Sequence, residues 1–232
     1  MTWAAFRDGM TSRLANLADS LRAGTWEPGP VRHVEISTYT GKQMAAVIPT
    51  VTDRVVHRAV RAAVEPVLEQ RAFAEWVSGF RPRRNRITAL RQAARHLDLG
   101  MRWVADIDVE RASQGSTTDE VVRWLAAHIH DGTFLNRCRT LLDALPEPLT
   151  PGSGLSPLLL NLRLSRVDHA LPSMRVVRFA DNYCAFAPDR DTAEAAFDTV
   201  AQALHRCGLR PNTAKSRVRP DARAEDLFLI AG

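Results

Sequence analysis

Short apolar runs that end in acidic residues constrain the fold of this 232-residue chain most strongly. Residues 102–108 include the run Trp-Val-Ala-Asp-Ile-Asp, and the apolar runs 176–179 and 183–187 flank a polar turn at 180–182. Apolar runs this short indicate buried strands rather than helices. Because the segments between them have helical periodicity, we predict an α+β fold with a small antiparallel sheet.

The helical segments are recognised by apolar residues three and four positions apart, together with capping residues. They cover residues 1–23, 53–68, 87–97, 118–130, 134–145, 157–171 and 191–207. For the last helix, Asp191 is the predicted N-cap and Gly208 the predicted C-terminal stop. Residues 31–48 alternate instead and predict a hairpin with Gly41-Lys42 at its turn, while 217–218 and 227–230 predict a closing pair of strands.

The composition excludes a disordered chain and a membrane-spanning one. Hydrophobic residues make up 45% and charged residues 25% of the chain, which is ordinary for a globular domain. No apolar run reaches the roughly 18 residues of a membrane span, and no secretory signal is visible. The three cysteines, Cys138, Cys184 and Cys207, lie far apart. We therefore expect a reduced, cytoplasmic protein that has no contact with a membrane.

The positive charge is concentrated in one segment. The net charge is +5, yet the stretch between Glu75 and Asp98 contains no acidic residue. Its six arginines are Arg81, Arg83, Arg84, Arg86, Arg91 and Arg95. The planar guanidinium can bond two phosphate oxygens at once, and an ordinary solvated helix face usually mixes charge signs. The segment favours contact with a polyphosphate or a nucleic-acid backbone, with a solvated helix face as the alternative.

Two aspartates mark a candidate site. Asp106 ends one predicted strand, and Asp181 lies at the tip of the predicted hairpin. If the strands are neighbours, the two carboxylates repel each other unless a cation lies between them. Mg²⁺ suits such a site, and two such ions support phosphoryl or nucleotidyl transfer. Each aspartate alone is more typical of a turn or a helix cap than of a metal ligand, so both interpretations stay open at this point.

A series of motifs resembles the fingers and palm of bacterial reverse transcriptases from group II introns and retrons. These are Gly-Thr-Trp-Glu-Pro at 24–28, Ile-Pro-Thr-Val-Thr-Asp-Arg-Val-Val at 48–56, Ser-Gly-Phe-Arg-Pro at 78–82, Val-Ala-Asp-Ile-Asp at 104–108, Leu-Ser-Pro-Leu-Leu-Leu-Asn at 155–161 and Arg-Phe-Ala-Asp-Asn at 178–182. The resemblance covers about 24–232 and implies one domain of this family. It implies a fingers-like region over 1–100, a palm-like region over 101–232 with an antiparallel sheet backed by helices, and no thumb.

The resemblance also implies an activity, which is DNA synthesis from deoxynucleotide triphosphates on an RNA template with a DNA primer. Asp106 and Asp181, with the carbonyl of Ile107, are implied to hold two Mg²⁺ ions, for which Mn²⁺ is an alternative. The catalytic set is then Asp106, Asp181 and Asn182. The implied nucleotide and primer contacts are Arg111, Lys215 and Phe179, and the implied nucleic-acid contacts are Lys42, Arg54, Arg81, Arg83, Arg84 and Arg86.

The sequence departs from the family pattern at functional positions. Asn182 replaces the second aspartate of the hairpin, and Arg111 stands where the family has an aromatic residue. Thr150-Pro151-Gly152 lacks the family's glutamine. Because the sequence ends at Gly232, we expect a second protein to supply the thumb. These departures leave an alternative open, which is a catalytically inactive relative that binds RNA or an RNA–DNA hybrid.

Overall fold

The computed structural model describes residues 2–37, 41, 43–171, 174–220, 223 and 226–227. Its helices are α1 Trp3–Arg7, α2 Met10–Ala23, α3 Val51–Arg71, α4 Arg86–Asp98, α5 Thr118–Ala126, α6 Gly132–Asp143, α7 Ser156–Asp168 and α8 Arg190–Arg206. Its strands are β1 Arg32–Ser37, β2 Gln43–Ile48, β3 Trp103–Asp108, β4 Val176–Phe179, β5 Asn182–Ala187 and β6 Arg217–Pro220. The predicted α+β class is confirmed. None of the described helices has the length and apolarity needed to cross a membrane.

The chain forms two compact units, each made of two segments. The first contains Met1–Val67 and Ser113–Ser156, and the second contains Leu68–Ala112 and Pro157–Gly232. Helix α3 begins in the first unit and ends in the second. The predicted boundary between a fingers-like region at 1–100 and a palm-like region at 101–232 concerns function, which these compact units do not test, so it stays a prediction.

The first unit contains the predicted hairpin, in which β1 and β2 pair from Arg32 opposite Ile48 to Ser37 opposite Gln43. Lys42, in the predicted turn, lies outside the described residues. The predicted helix over 1–23 is wrong in one respect, because it is divided into α1 and α2. Gly9 separates them with a φ of 76°, a left-handed conformation that glycine adopts without a steric penalty.

The second unit is built on a four-stranded antiparallel sheet in the order β4-β5-β3-β6. Strands β4 and β5 form the predicted hairpin, with Phe179 opposite Asn182 and Ala180-Asp181 as its turn. Strand β6 pairs with β3. Residues 228–230, predicted to pair with β6, lie outside the described part of the chain.

Helices cover both faces of this sheet. Ala89 and Ala93 of α4 pack in one apolar cluster with side chains from three strands, namely Val104, Val177, Cys184 and Phe186. Side chains alternate between the faces of a strand, so Ile107, Arg178 and Tyr183 point to the other face, where they are fully buried. Helix α8 packs against β3, β5 and β6. Its N-cap is Asp189, whose carboxylate accepts from the Thr192 amide at 2.8 Å, so the prediction of Asp191 was wrong.

A close backbone contact holds the segment before α4 against the β4–β5 turn. The Ser78 amide donates to the Arg178 carbonyl at 2.9 Å, and the Arg178 amide donates to the Trp76 carbonyl at 3.2 Å. Residues 76–78 therefore extend the sheet beyond β4. Gly79 follows at the turn, where a Cβ atom would lie 2.1 Å from the Ala180 nitrogen. Only glycine fits there without displacing the turn.

The Gly79→Ala variant tests this contact. We expect it to lower the free energy of unfolding by about 2 kcal/mol or more, because the new methyl group meets backbone atoms that cannot rotate away. Gly132→Ala is the matched control, since Gly132 begins α6 and has open space around it. The control should leave stability unchanged or raise it by about 0.5 kcal/mol. Equal losses in urea unfolding of the two variants would contradict the contact.

Candidate active site

A buried arginine, Arg178, holds the turn that carries Asp181. Arg178 is fully buried, and its Nε and Nη2 donate to the two carboxylate oxygens of Asp168 at 3.0 and 2.6 Å. Its Nη1 donates to Asn161 Oδ1 at 2.9 Å and to the Ala180 carbonyl at 2.7 Å. Asp168 and Asn161 lie two turns apart on α7, so both face the sheet. One guanidinium thus connects α7 to the hairpin turn.

Two further groups complete this buried network. The Tyr183 hydroxyl donates to Asp168 Oδ1 at 2.8 Å, and the Asn161 amide donates to the Gly79 carbonyl at 2.7 Å. Burial and the nearby charge of Asp168 raise the pKa of Tyr183 well above its usual value, so the phenol stays protonated and remains a donor. The network joins α7, both strands of the hairpin and the Gly79 segment.

The turn itself adopts a conformation that needs this support. Ala180 has a φ of 55°, in the left-handed region that residues with a Cβ adopt at an energetic cost. Arg178 bonds the Ala180 carbonyl, and the Val109 amide donates to the Asp181 carbonyl at 3.2 Å. Asp181 is therefore fixed at the end of β3, as the neighbouring-strand argument predicts.

The acidic residues of β3 lie on one face of the sheet. Asp106 is opposite Cys184 and Asp108 is opposite Asn182, so these four side chains share that face. Burial raises the pKa of Asp106, against the opposing charges of Arg219 and Arg217. Burial, and then the negative charge of Asp108, raise the pKa of Asp181. Asp108 is a site residue that the sequence analysis missed, although its spacing of two from Asp106 places it on the same face.

Protein cations contact both acids of β3. Arg219 Nη2 lies 3.2 Å from Asp106 Oδ2, and the Cys184 thiol donates to Asp106 Oδ1 at 3.7 Å. Lys215 Nζ lies 3.4 Å from Asp108 Oδ2. The sequence analysis missed Arg219, whose signal is the Arg-Val-Arg spacing at 217–219, since it puts both arginines on one face of β6.

The oxygen donors suit Mg²⁺ in kind. Mg²⁺ is commonly held by one or two carboxylates together with substrate phosphates, and Asp106 and Asp181 supply two carboxylates. Among the described residues, no group of three histidine, cysteine or acidic side chains is arranged to hold a metal ion. Asn182 is buried, and its amide donates to Asp181 Oδ1 at 3.3 Å. Because an amide is neutral, Asn182 brings no negative charge to the site.

The arginine segment divides into structural and exposed members. Arg81 is only 5% exposed, forms a bidentate ion pair with Glu69 and donates to the Val77 carbonyl. Its predicted role as a nucleic-acid contact is therefore corrected, because its donors are already used inside the second unit. Arg84 is half-buried and pairs with the exposed Glu75 at 2.5 Å. Arg86 is also half-buried.

The exposed members are Arg83, with a φ of 59°, and Arg91 and Arg95, one turn apart on α4. Within the described residues, none of these three has an ion-pair partner within 4.0 Å. They present positive charge to solvent, which is what a phosphate backbone requires.

The remaining predicted contacts are scattered. Arg111 is exposed with a φ of 49°, and Phe179 is partly buried against the apolar cluster of α4. Ile107 has a fully buried side chain. Arg54 belongs to the first unit, where its guanidinium lies 4.8 Å from the ring centroid of Trp3. The functional roles predicted for these residues stay predictions.

Comparison with known proteins identifies similar sequences and folds. The family described as reverse transcriptase (RNA-dependent DNA polymerase) matches residues 39–223. The group II intron-encoded protein LtrA of Lactococcus lactis subsp. cremoris is 28% identical over 199 residues, covering 81% of this chain and 32% of LtrA. Protein YkfC of Escherichia coli (strain K12) is 31% identical over 169 residues, covering 67% of this chain and 44% of YkfC.

A solved structure of telomerase from Candida tropicalis, bound to a fragment of telomeric RNA, superposes with a TM-score of 0.61 at 8% sequence identity. The superposition covers 90% of this chain and 44% of that one. At this identity the likeness concerns the fold alone, and it confirms the expected fold class. The chain spans less than half the length of the curated relatives described above.

The buried ion pair predicts an unusually costly substitution. We expect Arg178→Met to lower the free energy of unfolding by about 3–5 kcal/mol, because it leaves the Asp168 carboxylate buried without its counter-ion. Arg22→Met is the control, since Arg22 and Asp19 form an ion pair in which both side chains are exposed. The control should cost about 0–1 kcal/mol. A similar small loss for both variants in chemical denaturation would show that the network does not support the fold.

Proposed function

The chain belongs to the reverse transcriptase family, and on that premise we propose that it synthesises DNA on an RNA template at a low rate, with Asp106 and Asp181 as its catalytic carboxylates. The observation that carries this proposal is the turn of Asp181, which the Arg178 network and the Val109 amide hold at the end of β3. A half-buried turn held by this many hydrogen bonds keeps the Asp181 carboxylate in one position, as catalytic preorganisation requires.

The residues of the site divide the work. Asp106, Asp181 and the Ile107 carbonyl would hold Mg²⁺, with Mn²⁺ as an alternative. When bound, the metal lowers the pKa of the attacking hydroxyl and neutralises charge on the phosphates. Lys215 places an ammonium group beside Asp108, where it would meet the triphosphate. Arg111, which is exposed and follows the motif at 104–108, would contact the incoming deoxynucleotide. Phe179 would lie beneath that nucleotide.

The low rate follows from Asn182. An amide presents a neutral oxygen where an acid would present a full negative charge, so the metal is held more weakly. If this contact is worth about 3 kcal/mol in the transition state, its loss lowers the rate by about two orders of magnitude.

The partners proposed are an RNA template with a DNA primer, or an RNA–DNA hybrid, and deoxynucleotide triphosphates. The exposed arginines Arg83, Arg91 and Arg95 support this proposal, because phosphate contacts supply much of the affinity for nucleic acids. A second protein that grips the duplex is a further proposed partner.

A second candidate function is binding of RNA or hybrid without catalysis. The observation that favours it is the pairing of both β3 acids with protein cations, Asp106 with Arg219 and Asp108 with Lys215. In this case the site is neutralised by the protein itself, and Asn182 reflects the loss of the metal.

Primer extension separates the two candidates. With Mg²⁺ or Mn²⁺, an RNA template and a DNA primer, we expect slow extension by the wild-type chain and at least about tenfold faster extension by Asn182→Asp, because the variant restores a negative charge beside Asp181. Asp106→Asn and Asp181→Asn are the controls and should abolish extension. Signals equal to those of the controls, in both wild type and Asn182→Asp, would reject the enzyme and leave the binding function.

Nucleic-acid binding tests the arginine surface separately. Arg91→Gln/Arg95→Gln should weaken binding of an RNA–DNA hybrid and reduce the slope of log affinity against log salt by about two units, since each phosphate contact contributes about one. The control is Arg190→Gln/Arg206→Gln, which removes the same charge from exposed positions on α8. Fluorescence anisotropy over a salt series measures both. If the control pair has the same effect, net charge rather than this surface determines binding.

A further inference from the structure

Arg219 makes an incomplete set of hydrogen bonds at Asp106. Its Nη2 donates to Asp106 Oδ2 at 3.2 Å and weakly to the Asp226 carbonyl at 3.4 Å. Its Nε is buried, and no hydrogen-bond partner reaches it within the described part of the chain. Arg219 therefore contacts Asp106 through one charge-assisted hydrogen bond, without the bidentate geometry that makes an arginine–carboxylate pair strong.

Strand pairing brings a second arginine to the same place. Arg217 is opposite Asp106 in the register of β3 and β6, and Arg219 is diagonal to it. Both side chains share the face of Asp106, but Arg217 is exposed and makes no ion pair within 4.0 Å among the described residues, whereas Arg219 makes the contact. A comparison of Arg217 with Arg219 therefore distinguishes the effect of a nearby positive charge from the effect of direct contact with Asp106.

A guanidinium on a half-buried carboxylate occupies an oxygen that a metal ion would need. A divalent cation must displace it and tolerate its positive charge nearby, which at this depth water screens only partly. Cys184 bonds the other oxygen, so neither oxygen of Asp106 lacks a contact.

We propose that Arg219 is a built-in counter-ion of Asp106 that competes with divalent cations for the same carboxylate. The proposal rests on the assignment of Asp106 as a metal ligand, made above. It makes Arg219 a residue that regulates occupancy of the site: metal binds when the arginine moves away, and the arginine returns when the metal leaves. The competition explains how an acidic site can remain stable without a metal.

The test measures Mn²⁺ binding by the full chain without nucleic acid or nucleotide, from the free Mn²⁺ signal in electron paramagnetic resonance. The measurement is made near pH 8, because removal of Arg219 raises the pKa of Asp106 and the carboxylate must stay ionised. We expect Arg219→Gln to bind Mn²⁺ about tenfold more tightly than the wild type, a coupling of ordinary size between two competing ligands. Arg219→Met gives the same comparison if the glutamine variant does not fold.

The matched control is Arg217→Gln, which removes the same charge from the same face of β6 without breaking the contact. It should raise Mn²⁺ affinity far less. Adding Asp106→Asn to Arg219→Gln should abolish the gain. An unchanged affinity in both Arg219 variants, an equal gain in Arg217→Gln, or a gain that persists without the Asp106 carboxylate would each overturn the proposal.

The same variants in primer extension distinguish this proposal from the proposed function. Tighter Mn²⁺ binding through Asp106 without any extension supports the counter-ion and rejects the polymerase. Extension by the wild type with unchanged Mn²⁺ affinity in the Arg219 variants supports the polymerase and rejects the counter-ion.

Discussion

The ion pair between Arg178 and Asp168 is the interaction on which the second unit depends. Both side chains are almost completely removed from water, so each charge needs the other, and the remaining donors of Arg178 reach Asn161 and the Ala180 carbonyl. A charge buried this deeply tolerates few arrangements, because any displacement leaves it unpaired. This requirement fixes α7 to the hairpin and places the strained turn, and with it Asp181, in one position.

The chemistry of the site follows from how the strands align around that turn. The register of β3 against β5 puts Asp106 and Asp108 on one face, and the register against β6 brings Arg217 and Arg219 to the same face. Acids and cations thus meet because of strand pairing. Asp106 pairs with Arg219 and Asp108 with Lys215, and Asn182 is neutral. The proposed low activity and the proposed counter-ion role of Arg219 both start from these features.

Much of the fold could be predicted from local patterns, and the errors have local causes. The sheet, its hairpin and the helices follow from periodicity. The break at Gly9 and the N-cap at Asp189 depend instead on backbone geometry, and residue type alone does not separate Asp189 from Asp191 as the N-cap. For the site, the sequence pointed to Asp106 and Asp181, and their catalytic role stays a prediction. Arg81 was assigned to nucleic-acid contact because its neighbours are basic, but it is buried and paired with Glu69, 12 residues earlier near the end of α3.

The sequence by itself determined the family and the α+β class and pointed to Asp106 and Asp181 as candidates, because motifs, periodicity and charge are properties of residues close together along the chain. Tertiary structure alone decided which arginines face solvent, that Asp108 lies beside Asp181 and that Arg219 contacts Asp106. Those facts depend on strand register and burial, which join residues from different parts of the chain, such as Asp106 and Arg219, which are 113 positions apart. No pattern within a single segment carries that information, since an ion pair forms only where folding places the two charges.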